Sequence, residues 1–320
     1  MPSKKPNYRP VDAMVYPRFS GIRTFMRLPQ VTDLTDVDFA IVGVPFDTGD
    51  TYRIGARFGP EGIRSQSMLL RPHNAALNVS IFDVCSGVDY GDLAVTPGYL
   101  PESHAQIEVG ASTIYASGAT PVFMGGDHSV SLPLLRATAK KFGKVGLIHF
   151  DSHSDLWPSY FGGKDTHGTP FRRAYEEGLI DPARSIQVGL RGSVYDADDV
   201  NMPTDLGFEA IPAPEVHEIG MKETIQRIRQ RVGSGLTYVT FDIDFVDPAF
   251  APATGTPEVG GFTSAQSLQL VRGLVGLNLV GFDCVEVMPP YDPPGSVTCL
   301  LAAGIVYEFI SLIALQRKQS

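Results

Sequence analysis

Val145-Gly-Leu-Ile-His-Phe-Asp-Ser-His-Ser-Asp155 runs from an apolar segment straight into three potential metal ligands. The apolar part reads as a buried strand, and Asp151, His153 and Asp155 follow it at every second position. Successive side chains of extended chain point to opposite faces, so these three share one side. Two carboxylates and an imidazole brought together there are costly unless a cation neutralises them. The same device recurs where Leu236-Thr-Tyr-Val-Thr-Phe runs into Asp242-Ile-Asp244, and a third apolar run, from Thr120, ends at His128. Three predicted strand ends therefore offer Asp151, Asp155, Asp242, Asp244, His128 and His153, a ligand set suited to a pair of divalent cations. Oxygen and imidazole donors without thiolate fit Mn²⁺ or a neighbouring first-row ion better than a thiolate zinc site.

Outward from that stretch, short apolar runs alternate with helical patterns. Strands are expected over 39–45, 81–89, 120–124, 145–151, 185–190, 207–212, 236–242 and 278–285. Helices are expected from Pro60 and over 103–118, 130–142, 168–178, 215–232, 264–274 and 297–316. This alternation predicts an α/β fold with a doubly wound parallel sheet, a (β/α)₈ barrel being the rival. In either fold the C-terminal strand ends carry the active site. Residues 1–35, with proline at 2, 6, 10, 17 and 29, read as an N-terminal arm, and 36–320 as a single domain. Phe19, Phe25 and Met26 favour an arm that forms a lip over a pocket or a subunit contact.

The 320 residues carry a net charge of −9 without a Lys/Arg cluster, which argues against nucleic acid or a membrane surface as partner. Cys85, Cys284 and Cys299 are too few and too scattered for a disulfide framework. Cys284 and Cys299 lie in apolar runs and read as core residues, and a reducing cytoplasm is the expected compartment. The start lacks the apolar segment of a signal peptide. The run 299–314 is interrupted by Gly304 and Glu308 and falls short of the ~20 apolar residues of a membrane span, so a buried helix is expected.

Taken in order, several stretches resemble the ureohydrolase family of arginase, agmatinase, guanidinobutyrase and proclavaminate amidinohydrolase. They are Gly125-Gly-Asp-His-Ser129, Asp151-Ser-His-Ser-Asp155, His167-Gly-Thr169, Phe241-Asp-Ile-Asp-Phe-Val-Asp-Pro248, Thr254-Gly-Thr-Pro-Glu-Val-Gly-Gly261 and Glu286-Val-Met-Pro289. The arm Pro17-Arg-Phe-Ser-Gly-Ile-Arg-Thr-Phe-Met-Arg-Leu-Pro29 is similar to the agmatinase and guanidino-acid branch rather than to arginase. The resemblance implies a three-layer α/β/α catalytic domain around an eight-stranded parallel sheet. It also implies two Mn²⁺ ions, with Ni²⁺ or Co²⁺ as alternatives, at the C-terminal edge of that sheet. His128, Asp151, Asp155 and Asp242 would hold one ion, and Asp151, His153, Asp242 and Asp244 the other. The implied reaction is attack of a metal-bridging hydroxide on a guanidino carbon, giving urea and an amine. Asp155 would transfer the proton, Glu286 receive the guanidinium, and His167 shuttle protons or contact substrate. A homo-oligomer, trimer or hexamer, is implied, with a paralogous partner subunit left open.

Departures from the family pattern bear on the substrate. Ser152 replaces the usual Ala, and Ala253 stands where Gly is common. Leu156-Trp157 follows Asp155 where arginase has an Asn that contacts the amino-acid carboxylate. Gly192 follows Gly189-Leu-Arg191 where arginase has an Asp-containing turn for the α-amino group. Trp157 and Met288 are therefore expected to line the pocket with apolar surface, and Arg23 or Arg27 of the arm to reach any substrate carboxylate. Agmatine, guanidinobutyrate or a shorter guanidino compound is expected as substrate. Arginine is expected to be poor, agmatine or an alkylated guanidine clearly better, and guanidinobutyrate between them. A substituted guanidine or biguanide hydrolase is the alternative within the family. A non-catalytic subunit needs no complete ligand set, and a dinuclear phosphoesterase would want a basic clamp that the motifs lack.

Overall fold

The computed structural model describes residues 8–319. Pro2, Pro6 and the start of the arm lie outside the described residues. Eight strands form the main sheet: β1 (Phe39–Gly43), β2 (Gly87–Asp92), β3 (Thr120–Met124), β4 (Gly146–Phe150), β5 (Ile186–Val188), β6 (Glu209–Ile211), β7 (Thr237–Asp242) and β8 (Leu279–Val285). Their spatial order is β2-β1-β3-β8-β7-β4-β5-β6, and every neighbouring pair is parallel. An open sheet with helices on both faces is the doubly wound arrangement and excludes the barrel.

The strands read as unbroken apolar runs because both faces are covered. In β1, Phe39 and Ile41 enter one core while Ala40 and Val42 enter the other. Helices Gly59–Ser67, Ala213–Val232, Ser264–Arg272 and Val297–Gln319 cover the first face. Helices Leu100–Ser117, Ser131–Phe142 and Pro170–Glu176 cover the second. The last helix is long and apolar enough to cross a membrane, but 78% of its most apolar window is buried in this fold. Its Glu308 is buried yet satisfied, accepting from Arg272 Nη2 at 2.6 Å and from Asn74 Nδ2 at 2.9 Å. All three cysteines are free and buried.

The segment 81–89, expected as one strand, divides into a helical turn, Ile81–Val84, and strand β2 from Gly87. Apolar residues at 81, 82, 84 and 85 fit one helical turn as well as a buried strand, and periodicity alone does not separate them. Strand β2 begins where a side chain becomes impossible, because a Cβ at Gly87 would lie 2.0 Å from the Phe39 ring. Two further elements were not expected, the hairpin His73–Asn74/Val79–Ser80 and the helix Ala197–Asp205. The helix is capped by Asp196, whose carboxylate accepts from the Asp198 and Asp199 amides.

The arm is docked at one end and open at the other. Phe25 and Met26 are buried, and the Phe25 amide donates to Asp89 Oδ2 at 2.7 Å. Phe19 and Met14, at 88% and 94% exposure, face outward. Arg23 donates to Ser65 Oγ, and Arg27 donates to the carbonyls of Tyr16 and Pro17. Within this chain neither arginine lines the cavity described below, which corrects the expectation that they meet a substrate carboxylate.

Candidate metal centre

The strands bearing the predicted ligands, β3, β7 and β4, lie together with β8 in the middle of the sheet, in the order β3-β8-β7-β4. Register carries the ligands to one place. Phe150 pairs with Phe241, so Asp151 and Asp242 leave the sheet side by side, and Val285 pairs with Asp242, which puts Glu286 next to them.

His128 shows how the centre is charged. Its Nδ1 lies 3.0 Å from Asp151 Oδ2, 2.9 Å from Asp155 Oδ2 and 3.2 Å from Asp242 Oδ2. Its Nε2 lies 2.9 Å from Thr240 Oγ1, and that hydroxyl donates its own proton to Asp283 Oδ1 at 2.5 Å. Thr240 can therefore only accept, so Nε2 carries the hydrogen and Nδ1 turns a lone pair toward three carboxylates. That arrangement demands a proton or a metal cation at Nδ1. Burial opposes a charge on His128, but its bonds to Asp151, Asp155 and Asp242 hold it well above the usual imidazole range. Asp242 is pushed well up by burial and by the charges of Asp244 and Asp151. A divalent cation would relieve both.

A second group forms beside the first. His153 Nδ1 is 3.0 Å from Asp244 Oδ2 and 3.5 Å from Asp151 Oδ1. Asp244 Oδ1 accepts from the Ser152 amide and hydroxyl, whereas its buried Oδ2 has no hydrogen-bond partner among the described residues. A buried carboxylate oxygen without a hydrogen-bond partner, beside an imidazole, is chemically suited to serve as a metal ligand. The two groups, His128-His149-Asp151-Asp155 and Asp151-His153-Asp244, share Asp151.

His149 was not singled out beforehand, although it stands two residues before Asp151 on the same alternation. Gln187 Nε2 donates to His149 Nδ1, so His149 Nε2–H donates to Asp151 Oδ2 at 2.7 Å. Burial works against the charge on Asp151, but His149, His128 and His153 together hold it well below the usual carboxylate range. His149 thereby aims the carboxylate that both groups use. Backbone strain completes the aiming, since Asp155 and Glu286 take φ of 52° and 63°, left-handed values rare outside glycine.

Above the centre opens a cavity of about 510 Å³ whose wall includes Thr51, Arg53, Asp155, Trp157, His167 and Tyr195. The Trp157 ring lies 4.7 Å from that of Tyr160, tilted by 38°, and donates Nε1–H to Asp199 Oδ1 at 3.1 Å. His167 Nε2 is 2.7 Å from Thr51 Oγ1 and its Nδ1 3.5 Å from Glu286 Oε1; burial opposes its charge, and Glu286 raises it above the usual range. Glu286 Oε1 accepts from the His128 amide, leaving buried Oε2 without a partner. A Cβ at Gly255 would come within 3.2 Å of that oxygen, so glycine keeps its approach open.

Met288 departs from expectation. It is fully buried, lies outside the cavity lining, and its Cε would be 2.8 Å from a Cβ at Gly255, so it packs behind the wall. Arg53 was missed, being hidden in the Gly- and Asp-rich turn 47–59. Among the described residues it is the one Lys or Arg of the cavity lining. Its guanidinium lies 5.3 Å from the Tyr291 ring centre and 5.7 Å from that of Tyr52, with an N–H on the Thr254 carbonyl at 3.3 Å.

An α/β/α sheet whose central strand ends converge Asp and His below a polar cavity defines a metal-site hydrolase of open parallel-sheet type. The chain belongs to the arginase family, whose profile matches residues 37–311. It is 48% identical to the guanidinopropionase of Pseudomonas aeruginosa over 307 residues, covering 96% of each chain. It is 45% identical to the guanidinobutyrase of the same organism, covering 96% of this chain and 97% of that one. The solved proclavaminate amidinohydrolase from Streptomyces clavuligerus superposes with a TM-score of 0.89 at 41% identity, covering 93% of this chain and 99% of that one. The chain is thus a hydrolase acting on C–N bonds of linear amidines, with a His/Asp cluster suited to metal.

Proposed function

We propose that the protein is a dinuclear metal amidinohydrolase releasing urea and an amine from a short guanidino carboxylic acid. The observation that carries the reading is the pair of ligand groups sharing Asp151 on the floor of the cavity. Two divalent ions, Mn²⁺ first with Ni²⁺ and Co²⁺ as alternatives, would sit on His128, Asp151, Asp155 and Asp242 and on Asp151, His153, Asp242 and Asp244. Bound there, they would lower the pKa of a water toward neutrality. Glu286 Oε2 receives the guanidinium across Gly255 and fixes its carbon over the centre. Asp155, 8% exposed at the cavity floor, takes the proton of the attacking water. It returns that proton to the leaving nitrogen as the C–N bond breaks, and the hydroxyl proton of the collapsing intermediate passes on to the freed amine, so urea and an ammonium ion depart. His167, between Thr51 and Glu286, holds the guanidinium side of the wall and relays protons to the cavity.

Arg53 supports a carboxylate at the substrate's far end, because it lines the cavity with no acidic side chain among its described partners. The names of the two Pseudomonas relatives point the same way. A second reading, an N-alkylated guanidine or biguanide, rests on the aromatic wall of Trp157, Tyr160 and Tyr195. Urea release from guanidinopropionate, guanidinobutyrate, agmatine, arginine and a dialkylated biguanide decides between them. The two guanidino acids should exceed arginine by at least ~10-fold in kcat/KM. Urea from none of the compounds by fully metal-loaded protein would remove the hydrolase assignment.

A further inference from the structure

The turn after β1 brings to the edge of the floor an acid that the mechanism above does not use. Asp50 follows Gly49, whose amide is pinned to Asp127 Oδ2 at 2.7 Å. Its side chain is 1% exposed, and neither of its oxygens has a hydrogen-bond partner among the described residues. Its Oδ1 is 3.8 Å from His167 Nδ1, and ligand atoms of Asp50, His167 and Glu286 all lie within 4.8 Å of one another. Three buried carboxylate oxygens, both of Asp50 and Oε2 of Glu286, therefore lack partners beside one histidine. Burial, and then the charge of Glu286, pushes the Asp50 carboxyl up to about 12. Two buried carboxyl groups this close are costly to ionise together, and a cation that gives N–H to both offsets that cost.

We infer that Asp50 is a second substrate carboxylate, which with Glu286 grips the guanidinium head along two of its three N–C–N edges. This rests on the guanidino reading above and names the residue that narrows it. A guanidinium offers paired N–H groups in a fixed plane, so two carboxylates can each take one edge. The third edge is left for the substituent, which points up the cavity toward Trp157 and Arg53. The pocket should accordingly favour singly substituted guanidines and resist those substituted on two nitrogens.

The test measures binding of guanidinium chloride at millimolar concentration to the metal-loaded protein by calorimetry, with metal content determined on every sample. Asp50→Asn, which keeps shape and removes charge, should weaken guanidinium binding by ~10-fold to 100-fold, the scale of a lost charge-assisted contact. KM for the best substrate should rise alongside while kcat changes less, and metal content should stay as in the wild type. Affinity within two-fold of wild type would overturn the inference, and so would loss of an ion, which would make Asp50 a metal ligand. Asp50→Thr, smaller and uncharged, is read in the same way. A comparison on the wild type needs no variant to fold: guanidinium, with three N–C–N edges, should bind at least ~10-fold more tightly than acetamidinium, which has one. Equal affinities would again overturn it. Binding is read without turnover, so a protein that grips guanidinium through Asp50 but releases no urea sinks the hydrolase reading and not this one.

Discussion

The floor of the cavity and its wall are made differently. The floor is the ends of β3, β8, β7 and β4, where register fixes Asp151, Asp242 and Glu286 against one another and burial leaves them no other place to go. The wall comes from the turn after β1, the loop after Asp155 and the segments around Tyr195 and Glu258. Its side chains are held by tilted ring contacts and single hydrogen bonds such as Trp157 to Asp199. A rigid floor suits chemistry that is ruined by small displacements, and a looser wall can vary its substrate without disturbing that chemistry.

If this division holds, floor substitutions lower turnover for every substrate, and wall substitutions alter the ranking of substrates. The largest effect is expected for Asp151→Asn, which weakens both ligand groups at once. Urea release should fall to background, and metal analysis should show fewer ions per chain than in wild type. Full metal content with near-normal turnover would break the floor reading outright. Asp155→Asn is expected next, with kcat lower by ~10²-fold to 10⁴-fold, the range for a positioned acid–base group. Metal content must be followed in the same samples, because Asp155 is also a ligand candidate.

His149→Phe removes the N–H that aims Asp151 while keeping a ring in contact with Phe171. Losing a hydrogen bond of this outer kind typically costs 10-fold to 100-fold in metal affinity or activity. The expected result is a protein that needs more added metal to reach a kcat close to wild type. Unchanged metal dependence would show that Asp151 is held by its backbone alone.

How far the sequence disclosed this molecule follows the same division. The floor was legible because alternation is a local rule: Asp-x-His-x-Asp after an apolar run puts its ligands on one side whatever the rest of the chain does. His149 belonged to that alternation and was passed over because it lies inside the apolar run. The wall was not legible, since Arg53, Tyr160 and Tyr195 meet through loops whose paths no periodicity describes. Met288 shows the converse, being near Glu286 in sequence but turned behind Gly255. The sheet followed from alternating runs, whereas Ile81–Val84 was misread because apolar residues at 81, 82, 84 and 85 satisfy two periods.

On the wall, Arg53→Met keeps apolar length and removes the charge. KM for a guanidino acid should rise ~10-fold, the scale of a single exposed-side charge contact, while agmatine, which lacks the carboxylate, should be little affected. Equal changes for both compounds would assign Arg53 to the fold of the loop rather than to the substrate.

The smallest effect concerns the seam where wall meets floor. Asp127 accepts from Ser129 on the floor side and from the Gly49 amide on the wall side. His104 backs this seam, with Nε2 3.2 Å from Ser129 Oγ. Burial, and then the charge of Arg136, pushes the His104 imidazole down to about 4. An unfolded histidine titrates near 6.5, so the unfolded chain takes up the proton first as pH falls. The contribution of the neutral His104 is therefore fully present above about 6.5 and lost progressively toward about 4. At pH 6 the loss is on the order of 1 kcal/mol relative to pH 8, from the linkage relation. His104→Gln cannot titrate, so the difference in stability between pH 8 and pH 6 should be smaller than in wild type by about that amount. Denaturant unfolding at the two pH values measures it. A variant with the full wild-type pH dependence would mean that His104 keeps its ordinary titration in the fold and that the seam is open to water.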